Sequence, residues 1–191
     1  MNCIACETQN ATITYNTLTY CQPCFNIMNK IFAKYEKDNE VNIDKTYIEP
    51  IKITDNVFIG SVNSVNENEL KKLNITNIII AGKRLKNDNH NNFNCLELLI
   101  DDSLEQDLIP YFDMVYDYIN NSVNKNELKK VNILIHCYSG ISRSGAILIS
   151  YLMKKNNWSY EYTYSYVKNI YEPIFPNENF QNQLKKLNFD P

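Results

Sequence analysis

From Tyr47 onward, short apolar runs alternate with helical patterns, and this alternation restricts the fold more than any other feature of the chain. IKITDNVFIG reads as a strand, SVNENELKKL as a helix, and ITNIIIA and FNCLELLI as strands. LIPYFDMVYDYIN is a helix, VNILIH a strand and SGAILISYLMKK a helix. SYEYTYSYVKNIY and NENFQNQLKKL add two more helices, separated by a turn around Pro173 and Pro176. The inner runs, IIIA and ILI, are apolar at every position, as strands covered on both faces must be. The fold class that follows is α/β, a central and mostly parallel sheet flanked by helices. Ser64 and Glu67 have the spacing of a capping box for the first of these helices. Tyr162, Tyr166 and Val167 fit one helical face and predict core packing, whereas the many asparagines, as in NDNHNNFN, fill loops.

The first two dozen residues differ. Cys3-x2-Cys6 and Cys21-x2-Cys24 hold four of the chain's six cysteines, with 14 residues between the pairs. Each pair can place two thiolates on a tetrahedral ion, and both together complete a closed four-sulfur site, so structural zinc is the expected cofactor. Two disulfides, a redox pair or an iron–sulfur site are the alternatives. So short a segment has too little apolar surface to fold without its metal, so zinc binding and folding should be coupled. Met28, Ile31, Phe32 and Tyr35 then mark a helix that closes the module. The expected organisation is a zinc module with its helix over residues 1–37, a polar linker over 38–46, and a catalytic domain over 47–191.

The chain of 191 residues has a net charge of −3, which argues against broad electrostatic binding to nucleic acid. No apolar run approaches the roughly 18–20 residues of a membrane span, and the start MNCIACETQN lacks the basic flank and apolar stretch of a secretory signal. A cytoplasmic or nuclear location without membrane attachment is therefore expected, where thiols serve metal or catalysis before disulfides.

One segment carries the chemistry. After VNILIH comes HCYSGISRSG, from His136 to Gly145, leading straight into a helix. Strand, tight turn and helix start form an anion site, because the turn's amides and the positive end of the helix dipole converge on one point. Cys137 and Arg143, with five residues between them, bracket that point. A thiol beside a helix N-terminus and a guanidinium is held as the nucleophilic thiolate. Arg143 can grip two phosphate oxygens at once. Gly140 allows positive φ in mid-turn, Ser142 and Ser144 supply hydroxyl donors, and Ser144 is placed to steady the sulfur as it leaves phosphorus. The chain has only two histidines and four glycines, yet these ten residues hold one histidine and two glycines together with Arg143. A plain structural turn around an inert cysteine explains Cys137 alone. His136 ends an apolar strand and is read as orienting the turn by hydrogen bonding; His90, in an asparagine-rich loop, is read as solvated.

HCYSGISRSG followed by AILISYLM resembles the active-site signature of the dual-specificity, cysteine-dependent protein phosphatases, His-Cys-x-x-Gly-x-x-Arg-Ser/Thr. VFIGSVNSVNENELKKLNITNIIIA is similar to that family's opening strand, helix and strand, and EPIFPNENFQNQL to its closing segment; the likeness covers about residues 47–189. The resemblance implies Cys137 as nucleophile, Arg143 as phosphate clamp, and Tyr138, Ser139, Gly140, Ile141 and Ser142 as the backbone cradle. It also implies an upstream general acid, whose spacing from Tyr111 and Phe112 selects Asp102, with Asp101 the alternative. The reaction so implied is two displacements through a cysteinyl phosphate on phosphotyrosine and phosphoserine or phosphothreonine, and needs no metal. Tyr138, Ser139 and Ile141 include no lysine, which favours phosphoprotein over lipid. Tyr171 and Glu172 stand where the family often has basic residues, so an acidic substrate motif is not expected at that edge. The zinc module resembles small zinc ribbons and leaves both a protein and an RNA open as its partner. Two other readings stand: an adaptor whose work is done by the zinc module, and a phosphatase of RNA, lipid or glycan. Cys95 is read as core, with a resolving-thiol role toward Cys137 as the alternative.

Overall fold

The computed structural model describes residues 47–83, 85–86, 88–124 and 131–187, together with the backbone of 13–15 and 18–20. The chain divides into two compact units, Met1–Thr46 and Tyr47–Pro191. In the first, β1 (Ile13–Tyr15) and β2 (Leu18–Tyr20) pair antiparallel, with Ile13 opposite Tyr20 and Tyr15 opposite Leu18. The four expected zinc ligands Cys3, Cys6, Cys21 and Cys24, the helix around Met28–Tyr35 and the linker lie outside the described residues.

The second unit is a five-stranded sheet in the order β3-β4-β7-β5-β6, formed by β3 (Ile51–Lys52), β4 (Val57–Ser61), β5 (Ile75–Ala81), β6 (Asn94–Leu98) and β7 (Asn132–Cys137). Every pairing is parallel except β3 with β4. IKITDNVFIG is thus two strands, not one. The Thr54 hydroxyl accepts the amides of Asn56 and Val57, and Ile53 N–H donates to Val57 C=O at 2.9 Å, folding the run back into a hairpin.

Among the described residues of this unit five helices occur in chain order: α1 (Glu67–Lys72), α2 (Ile109–Asn124), α3 (Arg143–Asn156), α4 (Tyr160–Ile170) and α5 (Glu178–Lys185). Helix α1 is capped by Asn66, whose side chain accepts the Glu69 amide, and not by the expected Ser64–Glu67 box. Ser64 is fully buried; its hydroxyl accepts the Ser61 amide and closes a box around the 3-10 turn Val62–Ser64. The buried face of α4 is Tyr160, Thr163 and Val167. Tyr162 is 57% exposed, so its expected place in the core is corrected: it meets the edge of Trp158 on the surface. Among the described residues no helix is long and apolar enough to cross a membrane.

The pleat divides the core in two. Ile133, Ile135 and Cys137 of β7 join Ile59, Ile79 and Leu98 in a large cluster against α2 to α5. Leu134 faces the other way, with Phe58, Ile78, Ile80 and Leu70 of α1, in a smaller one. Helix α3 is buried from Arg143 to Met153, which seats its N-terminus against the carboxyl end of β7. In parallel sheets that end is where ligands bind.

Candidate active site

Cys137 is the last residue of β7 and is fully buried. Its Sγ accepts the Gly140 amide and the Ser144 hydroxyl, each at 3.2 Å. Two donors converging on one sulfur match a thiolate acceptor. Gly140 has φ +78°, and a Cβ there would stand 2.8 Å from the Gly60 carbonyl oxygen, so only glycine lets the turn close this tightly. Neighbouring segments hold the turn: Val62 N–H donates to Tyr138 C=O at 3.2 Å, and Phe175 N–H to Ile141 C=O at 3.1 Å.

Arg143 opens α3, with its side chain only 8% exposed. One terminal nitrogen lies 2.9 Å from where a Cβ on Gly82 would stand, so the bare backbone at the end of β5 makes room for the guanidinium. Among the described residues, Arg143 Nε and Ser139 Oγ are buried with no hydrogen-bond partner, and both are donors that a phosphate oxygen would satisfy. Ser142 is the N-cap of α3 yet does not cap it with its side chain. Its hydroxyl instead donates to Asp102 Oδ1 at 2.6 Å and accepts the Asn177 amide at 3.1 Å. The Ser142 hydroxyl therefore leaves the first amides of the helix uncovered, which suits an anion site.

Asp102 and Asp101 part company. Asp102 is 1% exposed, and its Oδ2 lies 3.6 Å from Arg143 Nε. Asp101 is half-exposed and paired with Lys83, which ties the ends of β5 and β6 together. The structure thus gathers Cys137, Arg143, Ser144, Asp102 and the turn from Tyr138 to Ser142, and leaves Asp101 outside. Sequence reasoning missed Asn177. Its Nδ2 donates to Asp102 Oδ1 at 2.8 Å while its Oδ1 accepts the Phe180 amide as the N-cap of α5. An asparagine directly before the helical run ENFQNQLK was the available signal.

Behind the turn, His90 corrects its sequence reading: it is 1% exposed, and its Nε2 lies 3.0 Å from Nε2 of His136. Burial pushes His136 down to about 4, well below the usual imidazole range, with the neighbouring His90 adding to the effect. His136 Nδ1 lies 3.2 Å from the Cys137 carbonyl oxygen, the turn-orienting bond expected of it. Cys95 packs with the small cluster, and burial raises its thiol. It lies on the opposite sheet face from Cys137 and two strands away, about 9–10 Å at the usual strand spacing. No disulfide spans that gap, which leaves core packing as its role.

The family "Dual specificity phosphatase, catalytic domain" matches residues 57–189. The chain belongs to the dual specificity phosphatases. A probable dual specificity protein phosphatase of Dictyostelium discoideum is 36% identical over 129 residues, 68% of this chain and 32% of that protein. Dual specificity protein phosphatase 1B of Arabidopsis thaliana is 31% identical over 137 residues, 71% of this chain and 80% of that protein. The chain thus spans about a third of the first relative and most of the second. Among solved structures, the human tyrosine phosphatase-like serine/threonine/tyrosine-interacting protein has TM-score 0.65 at 29% identity, over 72% of this chain and 93% of that one. Family membership makes this a cysteine-dependent protein phosphatase domain.

Proposed function

We propose that the chain hydrolyses phosphotyrosine and phosphoserine or phosphothreonine in proteins through a cysteinyl-phosphate intermediate. The observation that carries this reading is the convergence of Cys137, Arg143 and Asp102 on one turn through Ser142. The Cys137 thiolate attacks phosphorus and the P–O bond to the leaving group breaks, while Asp102 gives its proton to the departing oxygen. Asp102 then takes a proton from water as that water attacks phosphorus and the P–S bond breaks. Ser144 donates to the released thiolate, Arg143 grips the equatorial oxygens, and the amides from Tyr138 to Ser142 cradle them. No step requires a metal.

A polypeptide substrate is supported by the rim. Leu99, Leu104, Ile109, Tyr138 and Phe175, on segments at the carboxyl edge of the sheet, are all more than a third exposed, and the turn itself offers no lysine to a lipid headgroup. The test is turnover of a generic aryl phosphate and of phosphopeptides by wild type and Cys137→Ser. The serine variant should lose at least about 10³-fold in rate, and acid quenching should trap phosphate on wild-type Cys137 alone. Undiminished turnover by Cys137→Ser overturns the mechanism.

In the first unit, the donor set of Cys3, Cys6, Cys21 and Cys24 fits structural zinc. The hairpin β1–β2 lies between the two pairs, and Cys21 follows Tyr20 at its end. Four thiolates leave no open position, so the metal would organise the module, for docking to a protein or RNA, and take no part in hydrolysis. Metal analysis should find about one zinc per chain, with aryl phosphate turnover surviving brief chelation. A cytoplasmic or nuclear setting follows from six thiols that this reading keeps reduced.

A further inference from the structure

The His90–His136 pair is a feature that the two displacements do not use, and its proton arrangement is fixed by chemistry. The Cys137 carbonyl oxygen can only accept, so at 3.2 Å His136 Nδ1 must carry a hydrogen. His136 is fully buried on the face of the sheet away from Cys137, where a neutral ring is favoured, so its Nε2 is a bare acceptor. The nitrogen facing it at 3.0 Å, His90 Nε2, must then be the donor. The ring centroids are 5.2 Å apart with planes 30° from parallel, a separation that rings with nitrogens 3.0 Å apart reach only end to end, so the N–H of one points at the lone pair of the other. The pair forms a directed chain from His90 through His136 to the carbonyl of Cys137.

That carbonyl matters because a trans peptide is planar. Its N–H points opposite to its C=O, so a donor that fixes the Cys137 carbonyl also sets the direction of the Tyr138 N–H, the first amide of the cradle. The next carbonyl, that of Tyr138, is held by the Val62 amide. The start of the cradle is thus aimed from behind by two hydrogen bonds, one of which depends on His90.

We propose that His90 is a positioning residue for the catalytic turn: its Nε2–H locks His136 in the tautomer that holds the Cys137 carbonyl, and so aims the amides that receive phosphate. The 3-10 turn Asp88–His90 carries the donor, far in sequence from the signature motif. Among the described residues, Asp88 lies on the same turn as His90, Cys95 of β6 has its Sγ 3.6 Å from the His90 carbonyl oxygen, and the charges of Lys86 and Glu97 act on Cys95.

This inference rests on the reading of the turn as the phosphate site, which Cys137→Ser tests separately. Its own test compares His90→Leu, which removes the donor, with His90→Gln, which restores one. In His90→Leu, kcat/KM for an aryl phosphate and the affinity for orthovanadate should fall together by about 10- to 100-fold, the cost of leaving a buried acceptor unmet. In His90→Gln both should return to within about threefold of wild type. The pH profile of Cys137 alkylation by iodoacetate, followed by peptide mapping, should move upward in the leucine variant and return in the glutamine variant. Equal impairment of the two variants at unchanged thermal stability, or no impairment in His90→Leu, overturns the assignment. Nitrogen-15 histidine spectra of the wild-type chain decide it even if His90→Leu does not fold. They should show His136 protonated at Nδ1 and His90 at Nε2 near neutral pH, and the opposite tautomer at His136 refutes the chain.

Discussion

The two faces of β7 share a backbone and differ in nearly everything else. One presents Ile133, Ile135 and Cys137 to a deep core under four helices; the other presents Leu134 and His136 to a thin layer beneath α1. The deep face supplies a rigid seat for the nucleophile, because α3 is buried over almost its whole length and cannot shift without repacking. The thin face supplies a polar bolt. Adjacent residues of one strand thus divide the labour: on the proposed mechanism Cys137 meets substrate, while His136 Nδ1 lies against its carbonyl oxygen from behind.

The largest expected effect breaks this comparison on the chemical side. Asp102→Asn keeps the shape of the network with Ser142 and Asn177 but cannot give up a proton as the acid does. It should lower kcat on phosphoserine peptides by about 10²–10⁴-fold and lower it less on an aryl phosphate with a good leaving group, as steady-state kinetics will show. An equal loss on both substrates would mean that the residue positions and does not protonate.

Next comes packing. Phe180 of α5 is fully buried in the deep cluster, and Phe180→Ala should cost about 3–5 kcal/mol in chemical denaturation. Leu70 is the buried residue of the six-residue α1, a short helix that can settle into a cavity, so Leu70→Ala should cost about 2–3 kcal/mol. Equal costs would show that the two layers differ in thickness without differing in stiffness.

The thin face also carries a pH signature. Free imidazole takes up a proton near 6.5, while buried His136 resists down to about 4, so between those values the unfolded chain binds more protons than the folded one. Stability contributed by His136 is complete above pH 6.5 and is lost as pH falls toward 4, by up to about 3 kcal/mol. Urea midpoints of wild type and His136→Gln at several pH values should converge across that window. The smallest effect is at α1: Asn66→Ala removes an exposed N-cap and should cost about 1 kcal/mol with no change in turnover.

Much of the architecture was legible because the buried strands have no alternative use. IIIA and ILI can only be central strands of a covered sheet, and the turn from His136 to Gly145 announces an anion site by residue type and spacing. What escaped depended on contacts far apart in sequence. IKITDNVFIG folds on itself at Thr54, whose hydroxyl takes the amides of Asn56 and Val57, and the strand that then seats β4 in the sheet, β7, lies far along the chain. His90 looked solvated because its neighbours are polar; its burial comes from His136, 46 residues later. Asn177 was legible as a helix start, but its second bond, to Asp102, spans 75 residues. Asp102 and Asp101 were separable only by the family's spacing, and the fold separates them by burial and by the Lys83 pair.

The Asn177 side chain joins the first turn of α5, through its carbonyl oxygen, to the Asp102 carboxylate and the Ser103 carbonyl, through its amide nitrogen. The same side chain cannot let go of one without loosening its hold on the other. Fraying of α5 would therefore leave Asp102 Oδ1 with the Ser142 hydroxyl but without the Asn177 amide and, on the proposed mechanism, slow alkyl esters more than activated ones. On that mechanism α5 is a throttle on leaving-group range, acting through Asn177.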